Sequence, residues 1–502
     1  MKMLLIRSIK LTTTALLIGA AIVTMSASSI LAQGTAESDS SGVVRVINTP
    51  LAWEKIGAAR EASSQDRHHE AVSYYLEALS YDARLVSLVA QELAYQKLWR
   101  EDAEKSIFYF RRYMRRHPNE ENRDIRKGLA TALSWSGRQP EAVSLYRELV
   151  AEDPSDGSAR VGLSRSLVWN NQLKESWTEI RQIEADYAKD TAPGREGRDL
   201  ALLILDSYTP PLELKLEGSW DSDDLDILRL SGVGSFTVGG NKLLQAMAGF
   251  GRYQQPGQAD ISNPRIGAAF HAALAHNWAL HSFLWLNNFS SSDPLFGSPE
   301  KLDWTRLGGD LWLTWIATPR LRIDFGGTSV PVETFFALNN KIHYEQANLS
   351  ADYRLGRHFK AGVSGNYADY SDGNSKRKGM ARLTWVREGR WEMQVGPVFN
   401  YMDFAISYPG GYWSPNWVRN GSVEATVKTR SEHWTWRLNG SIGLEQEANS
   451  ESVTVGGASA RAGWRFTPDW LLALEVGHSR SSFSAASGFN RTFASLSARA
   501  FF

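Results

Sequence analysis

The sequence of 502 residues predicts an α + β protein of two domains, an N-terminal α-solenoid followed by a C-terminal antiparallel transmembrane β-barrel of about sixteen strands. Three observations predict this fold class. A group of small and apolar residues recurs at a fixed period before residue 205, and apolar and polar residues alternate one by one from Leu212 onward. The connections between the alternating segments are short and long in turn, as in barrels of outer membranes.

The helical repeat is clearest in two neighbouring segments. A glycine, two leucines and a tryptophan recur with a displacement of 34 positions (163 − 129): Gly128, Leu129, Leu133 and Trp135, then Gly162, Leu163, Leu167 and Trp169. This is the period of tetratricopeptide repeats, in which small residues let two helices approach and an aromatic residue fills the gap between them. Weaker copies around Ser106 and Ala71 bring the expected number to about four repeats, enough to bury a shared core.

The N-terminus has the composition of a secretory signal. The basic residues Lys2, Arg7 and Lys10 precede an apolar stretch from Leu11 to Met25, and Ala32, or alternatively Ala27, is a suitable last residue before cleavage. We therefore predict four regions: a signal peptide over 1–32, a linker over 33–50, periplasmic tetratricopeptide repeats over 51–205 and an outer-membrane barrel over 211–502.

The alternating segments read as strands with one apolar and one polar face. Leu212, Leu214 and Leu216 alternate with Glu213, Lys215 and Glu217. The last segment carries Leu496 on one face and Arg499 on the other and ends on the aromatic Phe502, as expected of the closing strand of an outer-membrane barrel. Tryptophans at strand ends are expected in the aromatic girdles of the membrane interfaces: Trp278, Trp304, Trp391, Trp434 and Trp470.

The connections provide a separate argument for the barrel. Short ones follow the even-numbered segments: Gly239-Gly240-Asn241, His276-Asn277, Thr318-Pro319, Gly356-Arg357, Glu388-Gly389-Arg390, Ser431-Glu432-His433 and Thr467-Pro468-Asp469. Longer ones follow odd-numbered segments: Ser290–Lys301, Pro331–Leu338 and Ile406–Trp413. A barrel that starts in the periplasm requires short turns on that side and long loops outside.

The composition argues against several function classes. The 55 basic and 55 acidic residues cancel, so the charge gives no argument for nucleic acid as a partner. Cysteine is absent, and the adjacent His68 and His69 point in different directions on a helix, so we expect no metal site. No phosphate-binding loop or nucleophile motif is present, and we predict no enzyme, no catalytic residue and no cofactor.

The polar face of the strands is expected to line a hydrated lumen, because sixteen strands enclose a channel wider than side chains can fill. The candidate lumen residues are Glu213, Lys215, Glu217, Arg229, Asp310, Arg322, Asp324, Asp352, Arg354, Glu424, Lys428, Arg437, Glu445, Arg461, Arg465, Glu475, Arg491 and Arg499. Phe493 and Trp312 are aromatic residues expected to face inward, where they could stack on a solute or prop the barrel open.

The loop Pro409-Gly410-Gly411-Tyr412-Trp413-Ser414-Pro415-Asn416 resembles the barrel of the cellulose synthase operon protein C family, and the 34-residue repeat points the same way. The candidate loop motif comprises Gly410, Gly411, Tyr412, Trp413, Ser414 and Pro415; as a bare turn it would need only glycine's positive φ and proline's fixed φ. The chain departs from that family in having fewer repeats, and the exporters of poly-N-acetylglucosamine are similar.

The resemblance implies a porin in the outer membrane of a Gram-negative bacterium that conducts an exopolysaccharide, cellulose-like or poly-N-acetylglucosamine-like, to the cell surface. Its expected partners are membrane lipid, the polysaccharide chain in transit, and a periplasmic or inner-membrane synthase complex docked through the repeats. Two alternatives stay open. One is a non-conducting receptor or assembly scaffold, and the other is a hydrolase that uses Glu424, Glu445 and Glu475 as paired carboxylates.

Overall fold

The structure, a computed structural model, describes residues 47–100, 102–118, 122–239, 242–275, 277–296, 298–318, 320–356, 358–407, 411–481 and 490–502. The predicted signal peptide, most of the linker, and the turn and loop residues Gly240, Asn241, His276, Pro319, Arg357, Pro409 and Gly410 lie outside these ranges. The chain divides into two compact units, one ending at Val89 and the other beginning at Ala90.

The first unit contains a pair of helices, α1 (Thr49–Ser64) and α2 (His68–Tyr81), followed by a 3₁₀ turn (Ala83–Leu85). The side chain of Asn48 accepts a hydrogen bond from the backbone N–H of Leu51, which caps α1. The two helices bury mainly alanine and small apolar side chains, so their backbones can approach closely.

Helix α3 (Val86–Trp99) spans the boundary, and the second unit continues through six further helices: α4 (Ala103–Arg116), α5 (Arg123–Trp135), α6 (Gln139–Glu152), α7 (Gly157–Trp169), α8 (Leu173–Asp186) and α9 (Ala192–Ser207). The side chains of Asn122, Asp156 and Thr191 cap α5, α7 and α9 by accepting backbone N–H groups of the first turn. The predicted helical repeat region is confirmed.

The recurring glycines have a packing role. A Cβ atom on Gly128 would lie 2.6 Å from the ring of Phe110, and one on Gly162 would lie 2.4 Å from the ring of Tyr146. In each repeat the missing side chain thus makes room for an aromatic ring from the preceding helix. This close approach explains why the sequence pattern pairs a glycine with an upstream aromatic residue.

The chain then forms sixteen antiparallel strands in consecutive order, which close into a barrel through pairing of the first with the last. The strands are β1 (Leu212–Asp221), β2 (Asp226–Thr237), β3 (Lys242–Gln254), β4 (Ile261–Ala275), β5 (Trp278–Pro294), β6 (Lys301–Thr318), β7 (Leu321–Pro331), β8 (His343–Arg354), β9 (Phe359–Tyr370), β10 (Ser375–Arg387), β11 (Trp391–Phe404), β12 (Trp417–Ser431), β13 (Trp434–Glu447), β14 (Val453–Thr467), β15 (Trp470–Arg480) and β16 (Asn490–Ala500). The predicted strand number and fold class are confirmed.

The connections follow the predicted alternation with two exceptions. Turns after even-numbered strands are short, and the three longer loops named from the sequence follow β5, β7 and β11. After β1 and β9, however, the chain turns over only residues 222–225 and 371–374, so these two odd connections are as short as the even ones. A short helix, α10 (Phe335–Asn339), lies within the long connection between β7 and β8.

The two faces of the sheet differ as alternation requires. Large apolar side chains are exposed on the outer face, for example Leu214, Leu230, Leu307 and Ile442. Trp434 stacks on Trp464 with ring centroids 6.0 Å apart near the short turns, as expected of a girdle. Trp304 was expected in a girdle, and that expectation is wrong: it stacks on the buried Phe289 and packs against a buried cluster. Trp304 is the cross-strand partner of Phe289, so the two side chains lie on the same inner face of the sheet.

Candidate functional site in the barrel lumen

The eighteen candidate lumen residues all lie on strand positions opposite in parity to the exposed apolar side chains of the outer face: Glu213, Lys215 and Glu217 on β1; Arg229 on β2; Asp310 on β6; Arg322 and Asp324 on β7; Asp352 and Arg354 on β8; Glu424 and Lys428 on β12; Arg437 and Glu445 on β13; Arg461 and Arg465 on β14; Glu475 on β15; Arg491 and Arg499 on β16. The interior is therefore charged and the exterior apolar, which is the architecture of an outer-membrane barrel.

Many of these charges pair across the inner wall. The guanidinium of Arg322 lies 2.9 Å from Asp324, and that of Arg382 lies 2.6 Å from Asp352. Arg461 approaches Glu475 at 3.9 Å. Such interleaved pairs keep the wall polar while limiting the net field along the lumen.

The connection between β7 and β8, residues 332–342, folds against the inner wall; we call it the constricting loop. Its Glu333 is bonded by the guanidinium of Arg229 on β2 and accepts a hydrogen bond from the hydroxyl of Tyr253 on β3 at 2.9 Å. Its Phe335 and Leu338 are buried in a cluster with Tyr253 and Phe289 of the barrel. Ionic and apolar contacts together hold this loop to the wall.

The loop that carries the Gly-aromatic motif packs on the constricting loop. Gly411 has φ +91°, and a Cβ atom there would lie 2.1 Å from the ring of Phe336, so both the backbone conformation and the space require glycine. The hydroxyl of Thr334 donates to the carbonyl of Gly411. The motif therefore does more than form a turn, because it docks one loop on the other.

The aromatic residues of the same motif reach the inner wall. Tyr412 stacks on Tyr370 with centroids 5.0 Å apart, and its hydroxyl donates to Asp372 at 2.9 Å. The indole N–H of Trp413 lies 3.3 Å from Glu447. Ser414 is fully buried. Tyr412 and Trp413 thereby become part of the lumen lining.

The two loops bound a cavity of about 460 Å³ inside the barrel. Strands from opposite parts of the wall contribute to it, with Arg265 and Trp285 on one side and Lys376 and Lys378 on β10. A second cavity of about 290 Å³ lies beside Trp312, Asp352 and Arg382. Of the inward aromatic residues named from the sequence, Trp312 covers Gly326 and Phe493 covers Gly477, each filling the space of a missing side chain.

At the short-turn side, helices α8 and α9 contact the inner wall between β12 and β16. The carboxylate of Asp206, in the last turn of α9, lies 3.1 Å from Arg461 and 3.8 Å from Arg437. The guanidinium of Arg499 donates to the backbone carbonyls of Leu205, Asp206 and Tyr208, which are free acceptors at a helix C-terminus. Three candidate lumen arginines thus hold the end of a helix.

A fourth arginine makes the strongest contact of this junction. Arg465 on β14 bonds both oxygens of Glu184 on α8, at 2.5 and 3.0 Å. The side chains are only 5% and 12% exposed. Burial alone would raise the pKa of the Glu184 carboxyl, but the hydrogen bonds and charges of Arg465 and Arg181 outweigh it and hold that pKa below its usual range.

An apolar cluster completes the junction. Trp177 on α8 packs on Phe501 at a centroid distance of 5.3 Å, and Leu471 and several residues of α9 join them. Sequence reasoning missed Trp177, Glu184 and Asp206, although alternation along the last segment places Phe501 on the same face as Arg499. The signal was present in that placement, because an aromatic residue beside Arg499 on an otherwise hydrophilic face requires an apolar neighbour.

The residues weighed for hydrolysis do not assemble into one group. Glu445 lies opposite Asn420 on β12, four positions from Glu424, and Glu475 pairs with Arg461. Among the described residues no group of three or more histidine, cysteine or acidic side chains could hold a metal ion. No helix in the described part of the chain is long and apolar enough to span a membrane.

Comparisons with known proteins give likenesses of structure alone. A solved "Bacterial polysaccharide outer membrane secretin" matches 58% of this chain and 98% of its own, with 13% identity and a TM-score of 0.44. OccK5 (OpdH) of Pseudomonas aeruginosa matches 58% of this chain and 97% of its own, with 12% identity and a TM-score of 0.33. YrrB, a TPR protein described with an unusual peptide-binding site, matches 31% of this chain and 87% of its own, with 19% identity and a TM-score of 0.24. No protein-family model and no curated protein matches the sequence.

Proposed function

We propose that the protein is an outer-membrane porin of a Gram-negative bacterium that conducts an exopolysaccharide from the periplasm to the cell surface. The observation that carries this proposal is a wide, charged lumen joined at one end to a helical repeat region through ionic and apolar contacts. A lumen formed by sixteen strands stays hydrated, and its polar wall can replace some of the hydrogen bonds that a sugar makes with water.

The junction supports a role for the repeats in delivering the polymer. Arg461, Arg465 and Arg499 fix α8 and α9 to the wall of β14 to β16, so a chain that follows the helices is brought to the lumen. We propose that the repeats lie in the periplasm, where they guide the polymer or dock a synthase complex. Trp135 and Trp169 end successive repeat helices and are 47% and 43% exposed, which offers ring faces to a sugar chain at the repeat period.

Deletion of the gene, followed by an assay of polysaccharide at the cell surface, tests the proposal. We expect surface polymer to disappear and to return on complementation with the wild-type gene. Complementation with a Trp135→Ala, Trp169→Ala double variant should restore less polymer, with the exposed Leu76→Ala as a control elsewhere on the repeats. Unchanged surface polymer in the deletion strain would refute the proposal.

A second candidate function is a non-conducting receptor or assembly scaffold, and the constricting loop favours it. Glu333 and Phe335 hold this loop against the inner wall, which narrows the path through the barrel. Conductance in planar bilayers separates the two functions. A conduit gives discrete current steps, whereas a barrel closed by this loop stays silent and conducts only when residues 332–342 are replaced by a short glycine-containing turn.

A further inference from the structure

The cavity of about 460 Å³ carries an excess of positive charge. Arg265 enters it from β4, and Lys376 and Lys378 enter it from β10. Two carboxylates also line the cavity, those of Asp310 and Glu333. Basic groups therefore outnumber acidic ones before any pairing is considered.

Pairing increases this excess. Glu333 is already engaged by Arg229 and Tyr253, neither of which lines the cavity. Among the described residues, neither Arg265 nor Lys376 forms an ion pair with a carboxylate, and the buried Nε of Arg265 has no hydrogen-bond partner. Both residues are half-buried, and a cation that is partly withdrawn from water without a matching acid is stabilised when a ligand supplies the negative charge.

Aromatic rings lie beside the same cations. The guanidinium of Arg265 lies 4.6 Å from the ring centroid of Trp285, and the ammonium of Lys376 lies 5.0 Å from that of Tyr344 and 5.9 Å from that of Tyr370. Ring faces suit the apolar C–H face of a sugar, and the adjacent cations suit a negative substituent on it. The combination fits a charged sugar better than a neutral one, which would leave the cations unmatched.

We propose that this cavity binds a sugar unit that carries a carboxylate, and hence that the polymer in transit is acidic. The inference rests on the proposed function and deepens it by naming the class of polymer. The cavity volume falls within the range of roughly 300–1,000 Å³ that is usual for ligand sites, and two separate cations provide several weak contacts in place of one tight site.

The test uses the full-length protein in planar bilayers, with an oligogalacturonate as the charged probe and a cello-oligosaccharide of equal length as the neutral probe. We expect the charged probe to block the current at lower concentration. The Arg265→Gln, Lys376→Gln variant should weaken that block about tenfold or more, because two charge-assisted contacts are lost. Lys376→Arg should retain the block, and Lys301→Gln, an exposed lysine at the start of β6 that does not line the cavity, is the matched control.

The outcomes separate this inference from the proposed function. Equal block by both probes, or block of the double variant as strong as that of the wild type, would overturn the acidic-polymer inference while the conduit stands. The proposed function would instead be overturned if the protein gave no current in planar bilayers and the deletion strain kept its surface polymer.

Discussion

Removal of Arg465 should loosen the helices from the barrel. The guanidinium bonds both oxygens of Glu184, donates to the carbonyl of Pro468, and lies 5.9 Å from the ring of Trp177. Breaking a buried ion pair by removing one partner costs about 3–5 kcal/mol. Because Arg181 still pairs with Glu184 at 2.7 Å, we expect Arg465→Ala to lie near the lower end, about 3 kcal/mol.

Hydrogen exchange of the full-length protein measures this effect. A loss of about 3 kcal/mol in the local free energy of opening accelerates exchange of α8 and α9 about a hundredfold. Arg147→Ala is the matched control. Arg147 on α6 pairs at 2.6 Å with Glu175, which lies on α8 as Glu184 does, but both side chains of this pair are over 40% exposed. Exposed pairs contribute only about 0–1 kcal/mol, so this variant should exchange almost as the wild type does.

The double variant Glu184→Gln, Arg465→Met should lose less than the sum of the two single variants, because no uncompensated charge is left buried. If exchange of α8 and α9 in Arg465→Ala matches that of Arg147→Ala, the junction does not depend on this pair, and the reasoning from burial is wrong.

Three further predictions concern other parts of the molecule. Gly162→Ala should destabilise α7 by about 1–3 kcal/mol, because its Cβ would meet the ring of Tyr146. Gly57→Ala has open space around it and should stabilise α1 by up to about 1 kcal/mol. Hydrogen exchange should therefore become faster in α7 of the first variant and slower in α1 of the second. Glu333→Gln should release the constricting loop and raise the single-channel conductance, while the exposed Glu300→Gln should leave it unchanged; equal conductance in all three proteins would exclude the loop as a barrier. The pKa of Glu184 is lowered in the folded protein, so this carboxylate stabilises the junction above its unfolded pKa, and the stabilisation is lost as the pH falls through its folded pKa. Hydrogen exchange of α8, corrected for intrinsic rates, should therefore accelerate from pH 6 to pH 3 in the wild type. The acceleration should be smaller in Glu184→Gln.

The barrel could be predicted from sequence because its signals are local. Alternation along each strand is imposed by contact with lipid on one side and water on the other, and it is visible in residues such as Leu214 and Lys215 without knowledge of any partner strand. The 34-residue repeat is visible for a similar reason, since Gly128 and Gly162 mark the same packing contact in successive repeats. Both constraints act on neighbouring residues or repeats, so each produces a periodic pattern in the sequence.

The junction could not be predicted, because its contacts join residues more than 200 positions apart. Nothing near Asp206 indicates that Arg461 will lie 3.1 Å away, and Arg465 and Glu184 are even further apart in the sequence. Parity placed the arginines inside but could not say what they meet there. The loop around Gly411 has the composition of an exposed turn, so its sequence did not indicate that it packs on Phe336. That contact depends on the constricting loop folding into the barrel.

The placement of Arg499 has a consequence for the order in which the molecule assembles. This side chain lies on β16, whose pairing with β1 closes the cylinder, and the same guanidinium caps the carbonyls at the end of α9 and approaches Glu213 at 3.6 Å. The C-terminal carbonyls of α9, the helix that leads into β1, therefore acquire their hydrogen-bond donor only when β16 pairs with β1. A chain stalled before closure would therefore present both an open sheet edge and helix-end carbonyls that lack their arginine donor.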